Sequence, residues 1–271
     1  MRKAFLDTTI LTDALLKRGS QHELCMDAIA RYDSTEMPVY AIKEFKAGPL
    51  TYLVWAHNKL ALTQSLAKTM TAISAVLRRQ PNRASTALNA VAEMISAQKQ
   101  SVGSLAERYG NGADPDAISA DQLRYSFRRR VMTGWAKRRE LANDVVCPLD
   151  CYPETTPTVT EGNLLTVNSA RCNQGSKCAM AEAMKQAPEQ IEKLRRAIQA
   201  QPCSRENERR ARVLKDIGRN PKRPLADESA CRALGDAAFA FLCPEDAVIL
   251  TTNTRDHRPL ASALGKTVAS P

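Results

Sequence analysis

The sequence predicts an α/β fold in which a short central parallel sheet is flanked by helices and a large, mostly helical insertion interrupts the chain. Three observations support this fold class. Apolar runs of strand length stand near both chain ends, at Lys3–Leu6 and Ala247–Leu250. Each run leads through a short polar turn into a helical pattern, as in β-α units. Between the two ends, apolar residues recur mainly at helical spacing.

The elements of the first sixty residues follow from their local patterns. Lys3–Leu6 reads as a short strand, and residues 22–32 as a helix. A second short strand is predicted at residues 38–40. It is followed by a helix from Ala41 that carries Glu44. We expect residues 1–60 and 227–271 to form the core, and residues 61–226 to form the insertion.

Helical apolar stripes dominate the middle of the chain. Residues 66–77 and 88–95 form two such stripes, which Pro81 separates, and residues 110–115 form a loop. A longer helix is predicted over residues 120–142. Its core-facing seam repeats every four residues, at Leu123, Phe127, Val131 and Trp135.

Basic residues cover much of the rest of that helix, among them Arg128, Arg129 and Arg130, and a second basic stretch runs over residues 193–223. The formal net charge is +10, which favours polyanionic partners. Two interpretations remain open: a solvated face of an ordinary helix, or a track for a nucleic-acid backbone. Aromatic residues are only 5% of the chain, which argues against a base-stacking platform.

A cysteine-rich segment occupies residues 147–178. Thr-rich, β-prone residues flank residues 161–163, which predicts a hairpin. Four cysteines bracket it and could close a tetrahedral zinc shell: Cys147, Cys151, Cys172 and Cys178. Free thiols explain the same cysteines equally well, and a disulfide is a third interpretation. The other four cysteines, at 25, 203, 231 and 243, are predicted to be core thiols.

After this segment, helices are predicted over residues 180–199, interrupted at Pro188, and over residues 204–217. From residue 227 the α/β pattern returns. The predicted elements are the helix Glu228–Leu242, the strand Ala247–Leu250, a turn over residues 251–253, a short helix over residues 256–264 and a last strand over residues 266–269. No stretch is long and apolar enough to span a membrane, so we expect a cytoplasmic protein without membrane contact.

Four acids stand where a ligand site is expected. Asp7 and Asp256 follow strands, and the carboxyl ends of parallel strands are where open α/β sheets bind ligands. Asp236 lies in an apolar helix, where a carboxylate is costly unless paired. Glu44 lies early in a helix. Taken singly, each acid has an ordinary explanation. Asp7 or Asp256 could cap a helix, Glu44 could be a surface acid, and Asp236 could form a salt bridge with a basic residue.

Together the two chain ends resemble the PIN-domain family. The start FLDTTILTDALL is similar to the family's opening strand and helix, and the end LGDAAFAFLCPEDAVILTTNTRDHRPL is similar to its closing helix, strand and metal-binding turn. The resemblance covers roughly residues 1–60 and 227–270. It implies a PIN-like three-layer fold and a site built by Asp7, Glu44, Asp236 and Asp256, with Thr9, Thr251 and Asn253 beside them.

The resemblance implies a metal-dependent endoribonuclease that hydrolyses RNA phosphodiester bonds. Asp7, Asp236 and Asp256 would bind Mg²⁺ or Mn²⁺. Glu44 would be a further ligand or would orient the attacking water. Thr9, Thr251 and Asn253 would position substrate or ligands, and Arg128–Arg130 would hold the RNA backbone. Two departures stand out: 192 positions separate Glu44 from Asp236 (236 − 44), and His257 stands where the family usually has an apolar aromatic residue.

Three alternatives remain at this point. The chain could be a non-catalytic PIN-like scaffold that binds nucleic acid in a processing complex. It could be the toxic or defence effector of a toxin–antitoxin pair, held in check by an inhibitory protein partner. It could also be a basic, zinc-binding adaptor, in which case the four acids would lie scattered rather than in one cleft.

Overall fold

A computed structural model of the chain describes residues 2–98, 114–146, 155–167, 179–219 and 228–271. In these residues, five parallel strands form one sheet: β1 (Lys3–Leu6), β2 (Ser34–Pro38), β3 (Asp144–Val146), β6 (Ala247–Leu250) and β7 (Thr267–Ala269). A separate antiparallel hairpin pairs β4 (Thr158–Val159) with β5 (Leu165–Thr166). The predicted α/β class with a short parallel sheet is confirmed.

Helices surround the sheet and fill most of the remaining described chain. Their bounds are α1 (Thr8–Leu16), α2 (Ser20–Ala30), α3 (Val39–Phe45), α4 (Thr51–Thr63), α5 (Leu66–Val76), α6 (Pro81–Gln98), α7 (Pro115–Lys137), α8 (Ala179–Lys185), α9 (Pro188–Gln199), α10 (Arg205–Arg219), α11 (Glu228–Leu242) and α12 (Thr254–Ala263). A single π-helical turn, Lys46–Leu50, joins α3 to α4. No described helix combines the length and apolar character that crossing a bilayer would require.

The strand order β3-β2-β1-β6-β7 determines where a ligand can bind. The chain builds outward from β1 to β3 in one direction and then returns to place β6 on the other side of β1. The strand order therefore reverses between β1 and β6. In open parallel sheets, ligands bind at such a reversal, outside the carboxyl ends of the strands. Leu6 and Leu250, the last residues of the two strands, lie in register, so both strands end at the same edge.

The core extends from the sheet into the middle of the chain. Ala4, Phe5 and Leu6 of β1 are fully buried, as expected for a central parallel strand covered on both faces. Phe127 of α7 and Leu194 of α9 belong to the same apolar cluster. The helical segment between the chain ends therefore shares one apolar core with the sheet, and burial of its apolar surface stabilises both.

One strand prediction needs correction, and one strand was not predicted. The second strand lies at Ser34–Pro38 rather than at residues 38–40, because Val39 already begins α3. Pro38 is the last residue of the strand. The strand β3, at Asp144–Val146, was not predicted and lies within the segment interpreted as an insertion. It pairs with β2, so this segment contributes the edge strand of the sheet.

The helix predicted over residues 120–142 begins and ends earlier, at Pro115 and Lys137. Asp114 caps it, because its carboxylate accepts from the backbone N–H of Asp116 at 2.9 Å. The predicted seam is confirmed, since Leu123, Phe127, Val131 and Trp135 are all buried.

The predicted hairpin at residues 155–167 is confirmed, with its turn at Glu161–Asn163. Asn58 of α4 anchors it, donating to the carbonyl and accepting from the N–H of Leu165, each at 2.8 Å. The zinc candidates Cys147, Cys151, Cys172 and Cys178 lie outside the described residues. Of the other four cysteines, Cys25, Cys231 and Cys243 are buried, as predicted for core thiols. Cys203 is exposed in the turn before α10, so its prediction as a core thiol is wrong.

Candidate acidic site

Asp7 lies at the centre of the candidate site because it directly follows β1. Its Oδ1 accepts from the backbone N–H of Thr8 at 2.7 Å, which caps α1. Its Oδ2 accepts from the hydroxyls of Thr9 and Thr251, each at 2.7 Å. Thr251 follows β6, so this carboxylate joins the ends of the two strands between which the sheet order reverses. Asp7 therefore both caps α1 and belongs to the candidate site.

Glu44 reaches the same place from α3. Its Oε2 accepts from the hydroxyl of Thr8 at 2.8 Å. Burial, and next the negative charge of Asp7, raise the pKa of Glu44 to about 7. The charge of Asp236 contributes to this rise, and the hydrogen bond from Thr8 opposes it. Near neutral pH, Glu44 therefore holds a proton in a substantial fraction of molecules.

Asp236 enters the site through a break in α11. Gly235 has φ 35° and ψ −116°, a backbone conformation that L residues rarely adopt, and it interrupts the helix directly before the acid. Asp236 Oδ1 lies 3.3 Å from His257 Nε2, and its Oδ2 lies 3.4 Å from an Nη of Arg210. Burial raises the pKa of Asp236 despite these two cationic neighbours, and the charges of Asp7 and Asp256 add to the rise.

His257 lies between two of the acids and is 1% exposed. Its Nε2 is 3.5 Å from Asp7 Oδ2 and 3.3 Å from Asp236 Oδ1, and its ring packs edge-on against Phe239. Burial lowers the pKa of His257, but the three carboxylates around it outweigh burial and raise that pKa above its ordinary value. Burial acts to raise the pKa of Asp7, but its contact with His257 and the hydroxyls of Thr9 and Thr251 outweigh burial and lower that pKa. When His257 is protonated, it forms a buried ion pair with Asp7.

Asp256 completes the set from the first turn of α12. Its Oδ2 accepts from Nδ2 of Asn253 at 2.9 Å. Asn253, not Asp256, is the N-cap residue of that helix, so the simple capping explanation does not hold for Asp256. Its charge contributes to the raised pKa of Asp236. The structure thus brings Asp7, Glu44 and Asp236 within electrostatic reach of one another and places Asp256 within reach of Asp236.

The residue types fit a hard divalent cation, because carboxylate oxygens are the donors that Mg²⁺ and Mn²⁺ favour. The raised pKa of Glu44 points the same way, since a cation would relieve the cost of concentrating buried negative charge there. Within the described ranges, no group of three or more His, Cys, Asp or Glu side chains is arranged to hold a metal ion. Asp7 and Asp236 face His257 and Arg210 instead, so ion binding requires these carboxylates to reorient.

The predicted backbone-binding arginines differ in their surroundings. Arg128 and Arg129 are exposed on α7. Arg130 is buried and donates to Glu93 of α6 at 2.9 Å. Arg210 of α10 was not assigned to the site from sequence, because it is one of many cations in a basic helix and nothing local distinguishes it. It also pairs with Glu206 at 2.6 Å, so it is shared between that acid and Asp236.

A cavity of about 620 Å³ opens beside Glu44. Thr8, Tyr40 and Arg232 are among the residues that line it, and Arg232 is exposed. The acidic site is therefore reachable from solvent on the side of Glu44. This volume lies within the range of small-molecule and cofactor sites.

Comparison of the chain with models of known protein families, with curated proteins and with solved structures finds no match. The resemblance of the two chain ends to the PIN-domain family therefore rests on the motif residues alone.

Proposed function

We propose that this chain is a metal-dependent endoribonuclease of PIN-like architecture that hydrolyses RNA phosphodiester bonds at the acidic site. The observation that carries the proposal is the convergence of Asp7, Glu44, Asp236 and Asp256, from widely separated parts of the chain, where the strand order reverses. The pKa values of Glu44 and Asp236 are raised in part by neighbouring carboxylates, and carboxyl groups perturbed in this way are typical of functional sites.

Asp7, Asp236 and Asp256 would hold Mg²⁺ or Mn²⁺, which when bound supplies Lewis-acid activation of the scissile phosphate and of water. Thr9 and Thr251 fix the Asp7 carboxylate through their hydroxyls, and Asn253 fixes Asp256. Glu44, with its pKa near 7 and its access to the cavity, is suited to orient the attacking water and accept its proton.

The net charge of +10 supports a polyanionic substrate. Arg128 and Arg129 are exposed on α7 and are available to contact an RNA backbone. Arg130 would act differently from its neighbours, since its ion pair with Glu93 stabilises the packing of α6 on α7.

The direct test is cleavage of a labelled RNA of mixed sequence by the purified chain in Mn²⁺, in Mg²⁺ and in EDTA. We expect cleavage in at least one cation and none in EDTA. Asp7→Asn should abolish it while leaving the circular dichroism spectrum unchanged, because the amide oxygen still caps α1. Asp121→Asn, an exposed acid on α7, is the matched control and should keep full activity. Full activity of Asp7→Asn would contradict the proposal.

A second function has one observation in its favour. His257 and Arg210 already engage Asp7 and Asp236, as in a site that has kept its acids without using them for catalysis. The chain would then be an RNA-binding scaffold. Retained RNA binding without cleavage in any divalent cation would favour this function over the nuclease.

A further inference from the structure

We infer that the groove between α1 and α6 seats one base of an RNA strand beside the acidic site and thereby gives the protein a base preference. This inference rests on the proposed function for the identity of the ligand as RNA. It concerns binding rather than cleavage, however, and can be tested separately.

The groove encloses about 390 Å³ and borders the acidic site directly. Thr8 and Thr9, which bind Glu44 and Asp7, also line the groove, together with Thr252 from the turn after β6. A ligand group in the groove would therefore lie next to the acids. The volume is within the range that encloses a small organic group.

The wall opposite α1 is a polar face of α6, whose lining residues are uncharged from Asn82 to Asn89 and end in Glu93, which pairs with Arg130. Asn82, Ser85, Thr86 and Asn89 follow one another at the spacing i, i+3, i+4 and i+7, and all four line the groove. The other face of α6 is apolar and buried, so packing fixes the direction of the polar one. Asn82 and Asn89 are exposed, and within the described chain neither amide has a hydrogen-bond partner.

Asparagine amides offer a donor and an acceptor side by side, the pattern that pairs with the edge of a nucleobase. Apolar contacts from Leu16, Leu53 and Pro49 complete the lining. A planar ring with polar edges and apolar faces satisfies both kinds of surface. Single-stranded RNA presents such rings, because its bases can turn outward.

The charges in the groove argue for a neutral group rather than a phosphate. Its two cations are already paired, Lys17 with Asp13 at 2.6 Å and Arg130 with Glu93 at 2.9 Å. The cavity beside Glu44 adjoins the groove, because the two share Thr8, Pro49, Asn82 and Thr86 in their linings. A strand whose backbone follows that cavity can place a base in the groove.

The test measures dissociation constants in EDTA, where metal-dependent cleavage does not occur. Fluorescence anisotropy with labelled decamers of adenylate, cytidylate and uridylate should show at least about a tenfold difference between the best and the worst decamer. The double variant Asn82→Ala, Asn89→Ala should reduce that difference to about twofold and leave the weakest decamer's affinity nearly unchanged. Asn207→Ala, on α10 and away from the groove, is the matched control and should keep the full difference.

Equal dissociation constants for the three decamers, no binding of any decamer, or a double variant with the original preference would each overturn the inference. A free nucleoside monophosphate that binds as tightly as the preferred decamer would overturn the assignment to a strand. Thermal unfolding of the double variant checks that its fold is intact. A chain that shows the base preference but cleaves no RNA in Mn²⁺ keeps this inference and loses the nuclease proposal.

Discussion

Replacing Glu44 by Gln should make the chain progressively more stable than the wild type as the pH rises. Glu44 is partly exposed, and its carboxylate accepts from the Thr8 hydroxyl. The Gln side chain has nearly the same shape, and its amide oxygen can accept the same hydrogen bond. The substitution therefore removes the negative charge near Asp7 and Asp236 while changing little else.

The magnitude follows from the raised pKa. In the unfolded chain the Glu44 carboxyl loses its proton near its ordinary pKa of 4.5, whereas in the folded chain it keeps the proton up to about pH 7. Because the folded state binds the proton more tightly, the contribution of Glu44 to stability is fully present below pH 4.5 and is lost as the pH rises to about 7. Each pKa unit corresponds to about 1.4 kcal/mol, so the loss is at most about 3.5 kcal/mol. Screening by solvent at a partly exposed group reduces it to roughly 1–3 kcal/mol.

Urea unfolding in EDTA at pH 4.5 and at pH 8 measures the effect. We expect the variant's free energy of unfolding, relative to the wild type, to increase by roughly 1–3 kcal/mol between the two pH values. Comparing the two proteins at each pH removes the contributions of titratable groups that Glu44 does not influence. Glu189→Gln, at an exposed position of α9, is the control and should show no such increase.

An unchanged difference between variant and wild type at the two pH values would refute the reasoning. It would mean that Glu44 is solvated well enough to ionise normally and that Asp7 and Asp236 do not raise its pKa. A variant that loses stability at pH 8 relative to the wild type would refute it more strongly, because the charge of Glu44 would then be stabilising.

Three further predictions concern single contacts. Gly235→Ala should lower the free energy of unfolding by about 1–3 kcal/mol in urea, because alanine is strained at φ 35°; unchanged stability would show that the break in α11 relaxes. Lys266→Met should cost at least about 1 kcal/mol in the same assay, because the ammonium group donates to three backbone carbonyls near the end of α11; a neutral effect would show that water replaces it. His257→Phe should unfold more easily than the wild type in EDTA, because Asp7 loses its buried counter-ion. With Mn²⁺ present the variant should recover stability, and calorimetry should show tighter Mn²⁺ binding, because the space between Asp7 and Asp236 loses a competing cation. Weaker Mn²⁺ binding than that of the wild type would contradict this reasoning.

Local sequence patterns predicted the structure correctly wherever residues close together in the chain determine it. The strand Lys3–Leu6 is a continuous apolar run, and its burial on both faces is what such a run predicts. The helices on either side of Pro188 follow from apolar periodicity and from the proline itself. The acids Asp7 and Asp256 could be proposed as partners because strands in a parallel sheet end at one edge.

Local patterns failed where distant segments decide the structure. Three residues of strand at Asp144–Val146 carry no periodic signal, and only pairing with β2, more than a hundred residues earlier, makes them a strand. Arg128, Arg129 and Arg130 form one basic run in the sequence. Only packing of α6 against α7 buries the last of them beside Glu93 and leaves the other two in solvent.

The sequence by itself determined the α/β class, most of the helices and the chemical character of the four acids, because each depends on residue type and short-range periodicity. Only the tertiary structure decided that His257 and Arg210 compensate the charge of Asp7 and Asp236, and that α6 faces the site with a polar wall. The physical reason is that charge compensation and shape depend on distances in space. Side chains such as Arg210 and Asp236 become neighbours only when packing of the apolar core fixes the helices that carry them.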